Sequence, residues 1–430
     1  MKSIQKLLGI ILIIIICSCG KDEIINPLDN QNVYQDISEI TTRSGQNGSF
    51  NIPIYSQNEL VVQYFPGTDE TVKESLRSIY EVEYYEACRL CPDGMIELWT
   101  FDINIQIEPK KHSIESDGMI LAVDREFSVE TVIDDIDVGT WEYTSYEPLI
   151  VSENSEITIA IIDTGFDPQF PAWYDSGEPI PMLYKAETDT DGELSGWDFV
   201  NDDNNPYDDA SGKHGSIVTF EIHDILSGTG VPYQILPLKA FDNSGAASYF
   251  NIVCSTYHGV QIADIIQMSF GWYEPDPDDI QSTVFKSLLE IFNDVVVVTS
   301  AGNNGENNDT NPHYPSGYNL DHIIAVAATN KEATDSAYWS NIGPISVDFW
   351  AVGEEVPFYD YEGNLISGGV DGTSFAAPQI AALAAIQKFY GDADISPEEI
   401  INLINISGLE APDAFDNLVK YDKYFPLMVE

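Results

Sequence analysis

A chain of 430 residues with 43% apolar content is long enough to bury a large core and to divide into two or three domains, which excludes global disorder. Lys and Arg number 18 against 71 Asp and Glu, a formal charge of −53, so a polyanion is repelled over most of the surface and nucleic acid is excluded as a partner. With 7 Trp, 23 Tyr and 19 Phe, the acidity reads as that of a solvated globule, with cation binding by some carboxylates as its other use.

Lys2 and Lys6 precede an apolar run from Leu7 to Ile16. A bilayer needs about 20 such residues, so residues 1–18 read as a signal peptide and not as a span. In Cys17-Ser18-Cys19-Gly20, the small Ser18 before Cys19 is similar to the lipobox of bacterial lipoproteins, where the first mature thiol is acylated. That resemblance makes Cys19 the lipidation site; an ordinary secretory signal is the alternative. Lys21-Asp22-Glu23 resembles the charged stretch that sends some Gram-negative lipoproteins to the outer face of the outer membrane. The expectation is an exported cell-surface lipoprotein, a monomer that touches the membrane through its lipid alone, or one released after processing.

Residues 19–57 are polar and lack apolar periodicity, as a tether would. From there the pattern changes to strand (Leu60 to Phe65), helix (Asp69 to Tyr80, with Val72, Leu76 and Ile79 on one face) and strand (Met95 to Phe101). A small α+β module over 58–137 follows. Within it, Cys88 and Cys91 are a candidate disulfide in an exported chain, with free thiols or a metal as alternatives, and Cys254 reads as a buried thiol. Beyond Ile157, apolar strands at 157–163, 234–241, 264–269, 294–300 and 323–328 alternate with helices near 215–226, 247–262 and 279–293. Such alternation builds a parallel sheet covered on both faces, whose ligands bind beyond the carboxyl ends of the strands.

Chemistry-bearing residues stand at those ends. Ile157 to Ile162 delivers Asp163, followed by Thr164-Gly165. His214 alone of 6 histidines has the setting Gly212-Lys213-His214-Gly215-Ser216. Ser374, in Asp371-Gly372-Thr373-Ser374-Phe375-Ala376-Ala377-Pro378, precedes an apolar helix, where unpaired backbone NH groups can face a developing oxyanion. Each alone has a plainer reading: Asp-Thr-Gly also occurs in aspartic proteases, which need a second copy that this sequence lacks, His214 could be a core or surface histidine, and Ser374 a helix cap. Ala376 excludes the G-x-S-x-G elbow of α/β-hydrolases.

The chain order Asp, His, Ser is that of subtilisin, and these segments resemble the Asp and Ser motifs of the subtilisin-like serine proteases (subtilases, peptidase S8). Gly196 to Pro206 with His214-Gly215-Ser216 is similar to the family's approach to its histidine. The resemblance covers about residues 155–410. It implies an α/β fold: a three-layer, parallel-sheet catalytic domain over 150–430, with the 58–137 module as a propeptide or a permanent accessory domain. It implies peptide-bond hydrolysis on polypeptide substrates by Asp163, His214 and Ser374, with no cofactor required for catalysis. Val298 to Gly305 resembles the oxyanion segment, with Asn303 as donor. Gln267 to Gly271 resembles the segment that pairs with the substrate backbone and walls the specificity pocket, which assigns Ser269, Phe270 and Gly271 to substrate binding. Asp198, Asp203 and Asn205 are similar to a calcium loop of some relatives.

One departure stands out. Where the family has a second His and a closing Gly after the catalytic His, this chain has Ile217 and Phe220. An inactive surface lipoprotein that binds polypeptides on the same scaffold is therefore the alternative function. The residue preferred before the cut is not legible; Trp272 is a candidate for narrowing a subsite.

Overall fold

The computed structural model describes residues 43–44, 49–50, 53–91, 93–133, 138–139, 152, 155–176, 178–186, 194–275, 282–392, 394–412, 414–415 and 417–426. The signal peptide, Cys19 and most of the tether lie outside the described residues.

Strands β1 (Tyr55–Tyr64), β2 (Tyr84–Ala87), β3 (Ile96–Thr100) and β4 (Ile120–Glu130), with helices α1 (Glu70–Ile79) and α2 (Ile107–Glu115), form the N-terminal module. Its antiparallel sheet runs β4-β1-β3-β2. Alternation along β1 gives the sheet two buried faces. Leu60, Val62 and Tyr64 pack with Trp99, Leu76 and Ile114 under the helices. Val61 joins Ile96 and Phe127 on the opposite face, against the second domain. Of the expected stripe of α1, Leu76 is buried and Val72 packs against the same core, but Ile79 is 67% exposed and Lys73 and Arg77 are buried instead. The cause is electrostatic. Arg77 turns inward to Glu97 at 2.6 Å, and Glu97 also accepts hydrogen bonds from Tyr64 and Trp99.

The second domain begins with β5 (Ile157–Asp163), β6 (Trp197–Asp198), α3 (His214–Ser227), β7 (Tyr233–Lys239), β8 (Ala246–Ser248) and α4 (Tyr249–Val260). Next come β9 (Ile265–Met268), β10 (Trp272–Tyr273), α5 (Thr283–Ile291), β11 (Val296–Ser300), β12 (His313–Tyr314) and β13 (Ile323–Thr329). It closes with β14 (Phe349–Val352), α6 (Thr373–Tyr390), α7 (Pro397–Ser407), β15 (Leu409–Glu410) and β16 (Lys423–Phe425). The large sheet has the order β6-β7-β5-β9-β11-β13-β14-β16-β15, parallel except for its last pair. Ile157, Ile159 and Ile161 of β5 pack with α3, α6 and α7, while Ala160 and Ile162 pack with α4 and α5. This is the three-layer α/β architecture, with strand ends along one edge. No helix among the described residues is long and apolar enough to cross a membrane.

The module and this domain share hydrogen bonds as well as apolar surface. β4 pairs antiparallel with β8, so the module's sheet continues into the second domain. Asp124 accepts from the backbone NH groups of Thr283 and Val284, and Glu126 from those of Tyr249 and Phe250. Two carboxylates of one strand thus satisfy the orphan NH groups of two helix N-termini, α5 and α4.

Candidate active site

β5 ends at Asp163, whose Oδ1 accepts from Thr164 NH at 2.7 Å. The same oxygen lies 2.7 Å from His214 Nδ1, and both side chains are buried. His214 opens α3, and the approach to it is tight. A Cβ on Gly215 would lie 2.3 Å from the carbonyl oxygen of Gly165, and Thr164 Oγ1 accepts from Gly215 NH at 2.9 Å. Only glycine lets α3 start against the end of β5 and so hold the imidazole over the carboxylate.

The loop before His214 is braced by charges that sequence reading did not single out. Lys213, with a left-handed φ of 52°, turns its ammonium inward to Asp167 at 3.1 Å and to the carbonyl of Asp208. Asp208 accepts from the NH and hydroxyl of Ser216. Burial raises the Asp208 pKa, opposed by Lys213 and Lys239. Lys213 and Asp208 lie close together in the loop but Asp167 is far upstream, and nothing in their spacing distinguishes them from solvated charges.

Ser374 lies in the first turn of α6, facing the same strand-end edge. Its Oγ donates to the carbonyl of Ser269 at 3.1 Å, and Ser269 Oγ donates back to the Ser374 carbonyl at 2.7 Å. The rings of His214 and Phe375 are 5.4 Å apart. Asn303 follows the end of β11, and its Oδ1 accepts from both Thr373 NH (2.9 Å) and Thr373 Oγ1 (2.7 Å). With its acceptor occupied, the amide can direct only its NH₂ outward, beside the NH groups at the start of α6.

Ser269 and Gly271 border this site by their backbones. Phe270 buries its ring against Phe241, with centroids 4.9 Å apart, so it offers only its main chain. Trp272 packs against Phe127, Tyr249 and Phe285 at the junction with the module, so it narrows no subsite. Ile217 and Phe220 are absorbed by the core, Phe220 standing edge-on to Phe358 and Tyr359. The module reaches the site too. Thr131 NH donates to the Gly245 carbonyl at 2.8 Å, and Thr131 Oγ1 approaches, at 3.4 Å, the Ser269 carbonyl that Ser374 also uses.

Asp198, Asp203 and Asn205 form a self-contained turn. Asp198 accepts from the backbone NH groups of Val200 and Asn201 and from the Asn201 side chain, and Asp203 Oδ1 accepts from Asn205 NH. These bonds order the loop and leave carboxylate lone pairs on Asp198 and Asp203 that could hold a hard cation. Cys88 is bonded to Cys91, and the buried Cys254 thiol lies within 4.8 Å of both sulfurs. Burial and the carboxylates Glu86, Glu126 and Asp202 push that thiol's pKa well up, which makes it inert.

Comparison with known proteins places the chain among relatives of one family. The chain is 28% identical to a thermophilic serine proteinase from Bacillus sp. (strain AK1) over 60% of its own length and 59% of that protein's. It is 29% identical to subtilisin from Bacillus pumilus over 54% of its length and 76% of that protein's. The fold is similar to that of a cold adapted subtilisin-like serine proteinase, with a TM-score of 0.49 and 21% identity over 64% of this chain and 90% of that one. The peptidase S8 model matches residues 154–417, more than half of the chain and the whole stretch that carries Asp163, His214, Asn303 and Ser374, and the chain therefore belongs to the subtilase family.

Proposed function

We propose that the protein is a serine endopeptidase that cuts polypeptides through an acyl-enzyme on Ser374. His214 takes the Ser374 proton and returns it to the leaving amine. Asp163 holds the imidazole with Nδ1–H toward the carboxylate and stabilises the imidazolium. Asn303 Nδ2 and the Ser374 NH receive the oxyanion. Protein groups alone supply this chemistry. The observation that carries the reading is the 2.7 Å contact between buried Asp163 and His214, at the strand-end edge shared with Ser374 and the tethered Asn303 amide. Substrate would add as a strand along Ser269 to Gly271. The path of Thr131 beside Gly245 and Ser269 supports a propeptide-like role for the module, covering that groove until it is displaced. We further propose that a lipid on Cys19 tethers the enzyme to the cell surface.

A fluorophosphonate probe tests the reading, because only an activated serine reacts with it. Labelling of wild type, and loss of labelling with at least about a 10³-fold fall in casein hydrolysis in Ser374→Ala at an unchanged melting temperature, is the expected result. An unlabelled but folded wild type would make the chain a binding protein.

A further inference from the structure

Two glycines face one gap beside the site. Gly271 ends the segment along which substrate backbone would lie, and Gly302 immediately precedes Asn303. A Cβ on Gly271 would lie 2.1 Å from His313 Cε1 and 2.5 Å from its Nε2, and one on Gly302 would meet the Asn341 amide at 2.5 Å and then His313 Cδ2 at 3.2 Å. The imidazole therefore sits between the two segments, one edge against each. An acyl group on Ser374, with its oxygen toward Asn303 and its backbone along Ser269 to Gly271, places the Cα before the scissile bond between the same two segments. Its side chain and the His313 ring compete for one space.

The ring is held there from several sides. His313 lies on β12, paired with Tyr273 of β10, whose ring stands edge-on at 5.1 Å. Ser316 Oγ donates to the His313 carbonyl at 2.8 Å and lies 3.0 Å from Nδ1. With its proton so used, the hydroxyl accepts from Nδ1–H and fixes the tautomer. Both residues are buried. Burial brings the imidazole pKa down to about 4, so the ring is neutral at working pH and offers no charge to an acidic side chain.

We propose that His313 occupies the specificity pocket and makes the enzyme cut after glycine or alanine; this rests on the endopeptidase reading above. A bulky side chain can enter only by expelling a ring that is hydrogen-bonded, paired and packed. Pocket discrimination of this steric kind is worth tenfold or more in kcat/KM.

The test is hydrolysis of Ala-Ala-Pro-Xaa p-nitroanilides, with Xaa as Gly, Ala, Leu, Phe or Glu, by full-length wild type, His313→Gly and Ser316→Ala, each also exposed to the fluorophosphonate. Wild type is expected to favour Ala over Phe by at least about tenfold, and His313→Gly to raise the Phe/Ala ratio by at least about tenfold. Ser316→Ala, which frees the ring, should raise it less. If His313→Gly does not fold, the wild-type ratio and Ser316→Ala carry the decision. A labelled wild type that prefers Leu, Phe or Glu, or a labelled His313→Gly with an unchanged ratio, overturns this proposal alone. A folded wild type that neither labels nor cleaves overturns the endopeptidase reading, and this inference with it.

Discussion

In the proposed mechanism Asn303 serves through its NH₂, because its carbonyl is occupied. Thr373 binds Oδ1 twice, so the amide cannot flip, and its NH₂ is oriented before any charge appears. Asn303→Leu is expected to lower kcat by about 10²–10³-fold with little change in KM, since the oxyanion exists only in the transition state. Steady-state kinetics on one chromogenic peptide checks this, and an effect confined to KM contradicts the role. Gly271→Ala belongs to the same scale. The added methyl meets the His313 ring and, at 2.5 Å, the Tyr314 carbonyl, which is backbone and cannot swing aside. A stability loss of about 1–3 kcal/mol is expected by chemical denaturation, and a neutral result would displace the ring from its position.

Among the elements, β4 has the most to reveal. Its Asp124 and Glu126 end on the helices α5 and α4, and both are completely enclosed. Burial raises the pKa of Asp124 to about 6 and of Glu126 to about 8, the latter with help from Glu59, against the hydrogen bonds that favour the charged forms. A carboxyl with a raised pKa is protonated in the docked module and ionised in the separated one across the interval between the two values. Docking is therefore favoured at acid pH and weakens as pH rises through that interval toward about 8. The module, cut from the domain at the connecting segment, should bind more tightly at pH 5 than at pH 8, and Glu126→Gln should flatten that dependence. Titration calorimetry at both pH values decides it; equal affinities in wild type would show that the helix caps keep both groups ionised. The loop after β6 carries a simpler expectation. Since Asp198 and Asp203 keep lone pairs beyond the bonds to their own turn, millimolar calcium is expected to raise the melting temperature over that in chelator, and coincident curves would remove the metal from this loop.

For the whole molecule, the question is what becomes of the module once the chain is cut. It contributes a continuous sheet edge to β8, two helix caps and an apolar face, all of which survive scission of the connection. The cut module is therefore expected to co-purify with the catalytic domain at neutral pH, which would keep the enzyme near the proposed lipid on Cys19. N-terminal sequencing of the Ser374-containing fragment, in cells and in medium, from wild type and Ser374→Ala, tests this. A fragment starting near 140–156, free in the medium and absent from the mutant, would establish self-release instead.

The sequence alone determined the strand-helix alternation, and with it the edge where Asp163 and His214 meet. Short, isoleucine-rich runs such as Ile157 to Ile162 read as buried strands by length and β-branching, and the short motifs around His214 and Ser374 are local. It could not determine the inward turn of Arg77, because an arginine at a helical spacing reads as solvent-facing until Glu97 is placed opposite. Nor could it tell that Lys213 is buried, that Trp272 faces the module, or that Asp198 serves its own turn. His313 is the clearest case. It lies 42 positions beyond Gly271 and 11 beyond Gly302, counted along the chain, and only the pairing of β12 with β10 carries its ring between them. Strand ends fix which chemistry is available, but the contents of a pocket depend on side chains that segments distant in sequence bring to one place.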